Sequence, residues 1–209
     1  KPESIESLCN SFKTKKIKDA FFVIWTTTPW TIPSNVAVCI NESIDYILVK
    51  SANEHFVIAK DLMDACSERW NLKLEVIGSV QGKDIENISM SHPLYDRESR
   101  LLHADHVTTE SGTGCVHTAP AHGLDDYFVC IKNGLEFVKA LDHRGLFKED
   151  YGPLNGLSTK KGDPVVIELL NEKNALLANK QYDHSYPHCW RHKSPVIFMS
   201  TPQWFISMK

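Results

Sequence analysis

The sequence predicts a β-rich α+β fold, in which a distorted β-barrel core carries peripheral helices. Short β-branched or aromatic runs recur along the first half of the chain, turn residues separate them, and few segments have helical periodicity. At 209 residues the chain is long enough for one large domain with a substantial core. No internal repeat or low-complexity run interrupts this pattern.

The predicted strands lie within the first 120 residues. The run from Ala20 to Trp25 is apolar throughout and predicts a buried strand, and the segments after it alternate with turn residues. In chain order, the predicted strands are residues 20–25, 36–40, 45–49, 55–59, 72–80, 101–107 and 114–118. The first sixty residues are therefore expected to be mostly sheet.

Three helices are predicted. The first covers Asp61 to Trp70, and the last begins at Asp163, an N-cap candidate followed by a proline, and runs toward Leu177. The most regular one follows Gly123 and ends near Asn133-Gly134. Its apolar face, with spacing i, i+3, i+4 and i+7, consists of Leu124, Tyr127, Phe128 and Ile131.

Composition limits the class of protein. The formal net charge is -3, no apolar stretch approaches the roughly 18 residues of a membrane span, and the six cysteines form no CxxC pair. We expect a reduced, cytoplasmic protein without a membrane anchor. The start lacks an initiator Met and a signal-peptide pattern, which predicts a piece of a longer protein. We divide the chain into a folded domain, residues 1–183, and an extended, proline-broken segment, residues 184–209.

The first candidate site is the threonine segment, Trp25 to Asn35 (WTTTPWTIPSN). Pro29 lacks an N–H and disfavours helix at Thr28, so the strand is expected to leave its sheet here and present hydroxyls at a rim. Such a rim can bind a polar ligand. The alternative is a strand end whose threonines satisfy only their own backbone.

The second is the histidine–aspartate segment, Gly112 to Tyr127 (GTGCVHTAPAHGLDDY). Asp125 and Asp126 fall in the first turn of a helix, where the helix dipole favours carboxylates, and we assign Asp125 to that structural role. His117 alone would be interpreted as a core imidazole. His117, His122, Asp125 and Asp126 could also hold the zinc of a metallohydrolase, which is the alternative reading.

A third cluster consists of His184, His188 and His192, around a cysteine. Pro187 and Pro195 interrupt it, so the histidines are not expected to align on a helix, and no known zinc spacing is present. We predict no metal site there.

The two candidate segments together resemble the signature stretches of the editing (CP1) domain that is inserted into the catalytic fold of bacterial-type isoleucyl-tRNA synthetases. The stretch from His184 to Phe205 is similar to the segment by which that insert returns to the catalytic domain. Valyl and leucyl editing domains carry an acidic residue where this chain has Trp30, and they lack the VHTAP string. His122-Gly123 is similar to the bacterial form, and Ala121 departs from the glycine of many bacterial members.

This resemblance implies a post-transfer editing hydrolase that cleaves valine from mischarged tRNA(Ile), with valyl-adenylate as a second candidate substrate. In this role His117 crowds the side-chain position, Asp126 binds the ammonium group, and the threonines place the attacking water. The residues implied as catalytic are Thr26, Thr27, Thr28 and Asp126, and those implied as substrate-binding are Trp25, Asn35, His117 and Asp126.

The resemblance implies no metal or cofactor for editing. ATP and Mg²⁺ would serve only the catalytic domain of the parent enzyme, whose HIGH and KMSKS strings are missing from this chain. The implied partners are the aminoacylated 3′ end of tRNA(Ile), its valine moiety and the rest of the synthetase, with no membrane and with a monomeric chain. A non-catalytic RNA-binding module is a further alternative, which the lack of a basic stripe or an aromatic platform disfavours.

Overall fold

Two four-stranded sheets and four helices organise the chain in the computed structural model, which describes residues 2–183 and 185–208. The predicted α+β class is confirmed. The strands of the described residues do not close into a barrel, however, because each sheet ends at two unpaired edge strands. The barrel predicted from strand spacing is therefore two separate small sheets.

The elements follow one another in chain order. The helices are α1 (Pro2–Ser11), α2 (Met63–Trp70), α3 (Leu124–Lys132) and α4 (Thr159–Glu172). The strands are β1 (Phe21–Phe22), β2 (Ala37–Ile40), β3 (Asp45–Ser51), β4 (Glu54–Ala59), β5 (Glu75–Gln81), β6 (Ser89–Ser91), β7 (Glu98–His103) and β8 (Val116–Thr118). Short 3₁₀ segments include residues 29–34 and 149–154.

The first sheet has the order β1-β4-β3-β5, with only the β1/β4 pair parallel. Its central strands β3 and β4 are almost wholly buried, because α1 and α2 contribute apolar side chains to the same cluster. The second sheet has the order β6-β7-β2-β8. In it β2 pairs antiparallel with β8, with Ala37 opposite Thr118 and Val38 opposite His117.

Most of the cysteines are buried. All six are free, and Cys39, Cys66, Cys115 and Cys130 are at most 2% exposed, so they serve as small apolar side chains in the core.

The strand predicted over residues 20–25 is much shorter in the structure. Only Phe21 and Phe22 pair with β4, and Phe21 is exposed. The turn at Gly114 occupies the place beside the end of β4, where the Ala59 N–H donates to the Thr113 carbonyl at 2.8 Å. Gly114 has φ +77°, and an added Cβ would lie 2.3 Å from the Cβ of Ala59, so only glycine allows this close approach.

Helix α1, residues 2–11, was not predicted, and the predicted start of α4 is wrong. Helix α4 begins at Thr159, four residues before the predicted start. Asp163 therefore does not cap α4. Its carboxylate instead accepts the backbone N–H of Trp30 at 2.8 Å, which attaches α4 to the threonine segment.

Helix α3 forms as predicted, but the predicted apolar face is not the buried one. Leu124, Phe128 and Ile131 are 67%, 60% and 54% exposed, whereas Val129 and Cys130 are buried. Val129 and Cys130 lie three and four residues after Asp126, on the same side of the helix. The inward position of Asp126 therefore decides which face of α3 is buried.

The C-terminal segment, residues 185–208, has no helix or named strand and is largely exposed. His188 and Pro195 form an isolated bridge within it, and His184 of the third histidine cluster lies outside the described residues. No helix in the described part of the chain combines the length and the apolar character that a membrane crossing requires.

Candidate active site

A cavity of about 340 Å³ joins the two segments that the sequence singles out. The residues implied by the resemblance that line it are Trp25, Thr26, Thr27, Thr28, His117 and Asp126. Asn35 is the exception, since it does not line this cavity but lines the larger one described next and contacts His117. A larger cavity of about 1310 Å³ adjoins this one, and Trp25, Thr26 and His117 contribute to both.

The threonine segment turns sharply where it enters the cavity. The Thr26 hydroxyl accepts the backbone N–H of Thr28 at 3.0 Å and lies 3.3 Å from the Thr28 hydroxyl. After Pro29 the chain forms a 3₁₀ segment, whose first turn is closed by Thr31 N–H donating to the Thr28 carbonyl at 3.0 Å. Thr27 takes part in none of these hydrogen bonds.

His117 is held by hydrogen bonds on both ring nitrogens. The Asn35 amide nitrogen lies 2.7 Å from Nδ1 and also donates to the Ala37 carbonyl at 2.8 Å. A carbonyl only accepts, so the Asn35 group facing His117 is the donor nitrogen, and Nδ1 is the acceptor. Nε2 then carries the proton and donates to the Thr31 hydroxyl at 3.0 Å, which in turn donates to the Thr28 carbonyl at 2.9 Å.

The protonation state of His117 follows from its surroundings. Burial lowers its pKa to about 3, and the neighbouring imidazoles of His92 and His122 act in the same direction. The ring is therefore neutral at physiological pH, with one fixed tautomer and no free nitrogen. It can present a surface to a ligand, but it cannot take a proton from water without breaking a hydrogen bond.

Asp126 lies in the first turn of α3 and faces the cavity. Its Oδ2 accepts the Ala119 N–H at 2.8 Å, and an added Cβ at Gly123 would lie 2.9 Å from its Cγ. Burial raises the pKa of Asp126, and the Ala119 hydrogen bond and His106 oppose that rise. Asp125 points outward and is exposed. The turn therefore fixes one carboxylate toward the cavity and leaves the other in solvent.

Sequence analysis missed several residues that line the cavity. Thr31 belongs to the threonine segment, and its hydroxyl could have been recognised as lying one 3₁₀ turn after Thr28. His106 and Ser111 also line the cavity. The Nε2 atom of His106 is buried without a hydrogen-bond partner among the described residues, and no motif in the sequence marks it.

The alternative zinc ligand set is not assembled. Both ring nitrogens of His117 and of His122 lie within hydrogen-bonding distance of protein groups, and Asp125 is exposed. Within residues 2–183 and 185–208, no three His, Cys, Asp or Glu side chains are grouped to hold a metal ion. In the third cluster, Cys189 Sγ lies 3.5 Å from His192 Nδ1.

The buried histidines predict a pH-dependent stability. Burial lowers the pKa of His92 to about 4 and that of His117 to about 3, from the ordinary histidine pKa of 6.5. At a pH between the lowered pKa of each folded-state histidine and 6.5, the unfolded chain binds protons that the folded chain does not. The free energy of unfolding should thus be highest above pH 6.5 and fall as the pH decreases, by up to about 1.4 kcal/mol per pH unit for each histidine.

Urea unfolding at several pH values measures this slope. His117→Gln should reduce the slope between pH 4 and 5.5, whereas His143→Gln, at an exposed position, should leave it unchanged. A His117 that titrates near pH 6.5 by NMR would contradict the assignment.

The sequence relatives of the chain are isoleucine–tRNA ligases. No protein-family model matches the chain. Isoleucine–tRNA ligases are 46% identical over 201 residues in Legionella pneumophila (strain Paris) and 49% identical over 188 residues in Lawsonia intracellularis (strain PHE/MN1-00). These alignments cover 95% and 90% of this chain, but only 22% and 20% of the relatives. The chain thus spans about a fifth of the length of these relatives.

Solved structures identify the fold. The CP1 domain GlLeuRS-CP1 matches with a TM-score of 0.64 at 15% identity, covering 83% of this chain and 88% of that domain. The editing domain of the P. falciparum cytosolic leucyl-tRNA synthetase matches with a TM-score of 0.59 at 11% identity, covering 81% and 89%. Identities this low support a common fold alone. The chain therefore matches a segment of isoleucine–tRNA ligases in sequence and shares the fold of CP1 editing domains.

Proposed function

We propose that the chain is a post-transfer editing hydrolase, which cleaves the aminoacyl ester of valyl-tRNA(Ile). The observation that carries the proposal is the arrangement of one cavity, in which a neutral, fully hydrogen-bonded His117 and an oriented Asp126 accompany three consecutive threonines. Homology to isoleucine–tRNA ligases and the editing-domain fold support it.

An enzyme that attaches isoleucine to tRNA needs a second step to select against valine. One methylene in an apolar pocket provides only about 1 to 3 kcal/mol of discrimination, a figure established on isoleucyl-tRNA synthetase itself. A site that admits valine and excludes isoleucine by size removes the residual error. Such a site requires a rigid side chain, here called the wall, that blocks the larger aminoacyl side chain.

His117 has the properties of such a wall. Asn35 and Thr31 hold the ring from opposite nitrogens, so a rotation that enlarged the pocket would break a hydrogen bond at each side. A buried donor or acceptor left without its partner costs about 1 to 3 kcal/mol. The extra methylene of isoleucine would have to overcome that cost before it could enter.

Asp126 is suited to bind the free ammonium group of the aminoacyl ester. The Ala119 N–H fixes the orientation of its carboxylate, and an ionised partner makes a hydrogen bond roughly twice as strong as a neutral one. A peptidyl or otherwise blocked amine would lack this charge. Asp126 therefore selects for a free aminoacyl group.

The threonines can position water and stabilise the developing oxyanion. An aminoacyl ester is already activated, so a placed water and donors for the oxyanion suffice without a protein nucleophile. Thr26 and Thr28 are tied to each other, whereas Thr27 takes part in neither of their mutual hydrogen bonds and is available to a ligand. Valyl-adenylate, with the same valyl group, is a second candidate substrate.

The proposed partner is the aminoacylated 3′ end of tRNA(Ile), held by a longer, cytoplasmic synthetase chain. A net charge of -3 provides little attraction for the phosphate backbone. Most tRNA affinity is therefore assigned to other domains of the parent enzyme, as is its use of ATP and Mg²⁺.

Removing the charge of Asp126 should weaken hydrolysis while preserving the fold. Asp126→Asn retains an oxygen that can accept the Ala119 N–H. A hydrogen bond to a charged group is worth about 1.5 to 3 kcal/mol, so kcat/KM for valyl-tRNA should fall about 10- to 100-fold. Asp125→Asn, its exposed neighbour, is the matched control and should stay near wild type. Equal rates for the two variants would refute the assigned roles.

Shortening the wall should change the selectivity of the site. His117→Ala opens the space that isoleucine would need, so isoleucyl-tRNA should become a substrate and the preference for valine should fall about 10- to 100-fold. Valyl-tRNA should still be hydrolysed. Deacylation of both esters is measured side by side, with His103→Ala as a histidine variant outside the cavity.

A general base at this position predicts the opposite result. Removing a base typically lowers the rate about 10²- to 10⁴-fold for every substrate and leaves the preference unchanged. A parallel loss of both rates in His117→Ala, with selectivity intact, would therefore refute the steric role.

We also propose that hydrolysis needs no metal ion, because His117 and His122 have their ring nitrogens engaged with protein groups. Purified chain should lack stoichiometric zinc by elemental analysis, and a chelator should leave valyl-tRNA hydrolysis unchanged. Stoichiometric zinc, with activity lost to the chelator and restored by zinc, would favour the metallohydrolase instead.

A further inference from the structure

Two hydrogen bonds join the C-terminal segment to residues near the cavity. The Ser200 N–H donates to the Ala121 carbonyl at 2.9 Å, and His122 Nδ1 lies 3.1 Å from the Phe198 carbonyl. Both contacts fall in the turn between His117 and Asp126. Ile197 and Met199 of the same segment also pack, partly buried, against the core cluster that contains Trp30.

His122 connects this contact to the threonine segment. Since the Phe198 carbonyl only accepts, Nδ1 carries the proton, and burial lowers the pKa of the ring so that Nε2 stays unprotonated. Nε2 then accepts the Ser34 hydroxyl at 3.1 Å. Ser34 Oγ in turn accepts the Ala140 N–H at 3.3 Å. The hydrogen bonds therefore run in one direction, from Ala140 through Ser34 and His122 to Phe198.

The ring of His122 is also packed in place. It makes an edge contact with Trp30, with ring centroids 4.8 Å apart. Trp30 and Ser34 both belong to the 3₁₀ segment that leads into Asn35, the residue whose amide holds the wall histidine. If His122 moved, Ser34 and Asn35 would therefore shift with it, and the His117 ring would move as well.

We propose that His122 is a positioning residue, which locks the C-terminal segment to the threonine segment and so keeps the selectivity wall in place. Its hydrogen bond to Ser34 connects it to Asn35, the next residue, whose amide holds His117. The C-terminal segment thus becomes part of the support of the pocket, and its docking influences which aminoacyl group the pocket admits. The consequence for selectivity rests on the proposed editing function, whereas the docking of the segment does not.

Amide hydrogen exchange tests the docking in the full chain. His122→Phe keeps a ring against Trp30 but removes both nitrogens, and exchange of the Ser200 amide, measured by NMR, should become about tenfold faster or more. His122→Gln, which offers both a donor and an acceptor, should restore much of the protection. His143→Phe, at an exposed position, is the matched control. An unprotected Ser200 amide in the wild type, or unchanged exchange in His122→Phe, would overturn the proposal.

A double-mutant cycle tests the link to selectivity. Ser34→Ala and His122→Phe should each raise the ratio of isoleucyl-tRNA to valyl-tRNA hydrolysis, by about fivefold for the loss of one hydrogen bond. Because both remove the same connection, the double variant should resemble His122→Phe alone. The link between docking and selectivity would be overturned if the double variant showed the product of the two single effects. It would also be overturned if His122→Phe exchanged the Ser200 amide faster but left the hydrolysis ratio unchanged. A wild type that does not hydrolyse valyl-tRNA would refute the proposed editing function and leave the exchange result standing.

Discussion

The hydrogen-bond chain through His117 is the constraint on which the rest of the site depends. It runs from the Asn35 amide through both ring nitrogens to the Thr31 hydroxyl and ends at the Thr28 carbonyl. Each group in it has one role, donor or acceptor, that its neighbour fixes. These hydrogen bonds therefore join Thr28, Thr31 and Asn35 of the threonine segment to His117 on β8, and neither element can shift alone.

Strand pairing brings these groups together. Antiparallel pairing of β2 with β8 places Val38 opposite His117, and the side chain of Asn35, two residues before β2, reaches Nδ1 of that ring. The same pairing directs the chain after β8 into the turn that ends at Asp126. A slip of one residue would turn His117 to the other face of the sheet, away from Asn35. Register is thus a determinant of the site as much as of the fold.

The site contains two of the buried polar atoms that lack partners among the described residues, Asn35 Oδ1 and His106 Nε2. Each such atom costs about 1 to 3 kcal/mol. For Asn35 the reason is visible, because its amide nitrogen serves both His117 and the Ala37 carbonyl and the oxygen must then face the other way. The unpaired Asn35 oxygen lowers the free energy of unfolding, while the amide nitrogen fixes the orientation of His117. Such an unsatisfied buried atom is typical of a functional site.

The sequence by itself determined the α+β class, several strands, the position of α3 and the two segments that line the cavity. Periodicity and turn residues are local signals, so they identify elements wherever local preference and the fold agree. It did not determine α1, the early start of α4 or the buried face of α3. Only the tertiary structure decided these features. For α3, Asp126 faces the Ala119 N–H, and this orientation turns Leu124 and Phe128 to solvent. The tautomer of His117 and the contact of His122 with Phe198 were likewise beyond the sequence, because they join groups 76 to 86 residues apart through hydrogen bonds that no local pattern records.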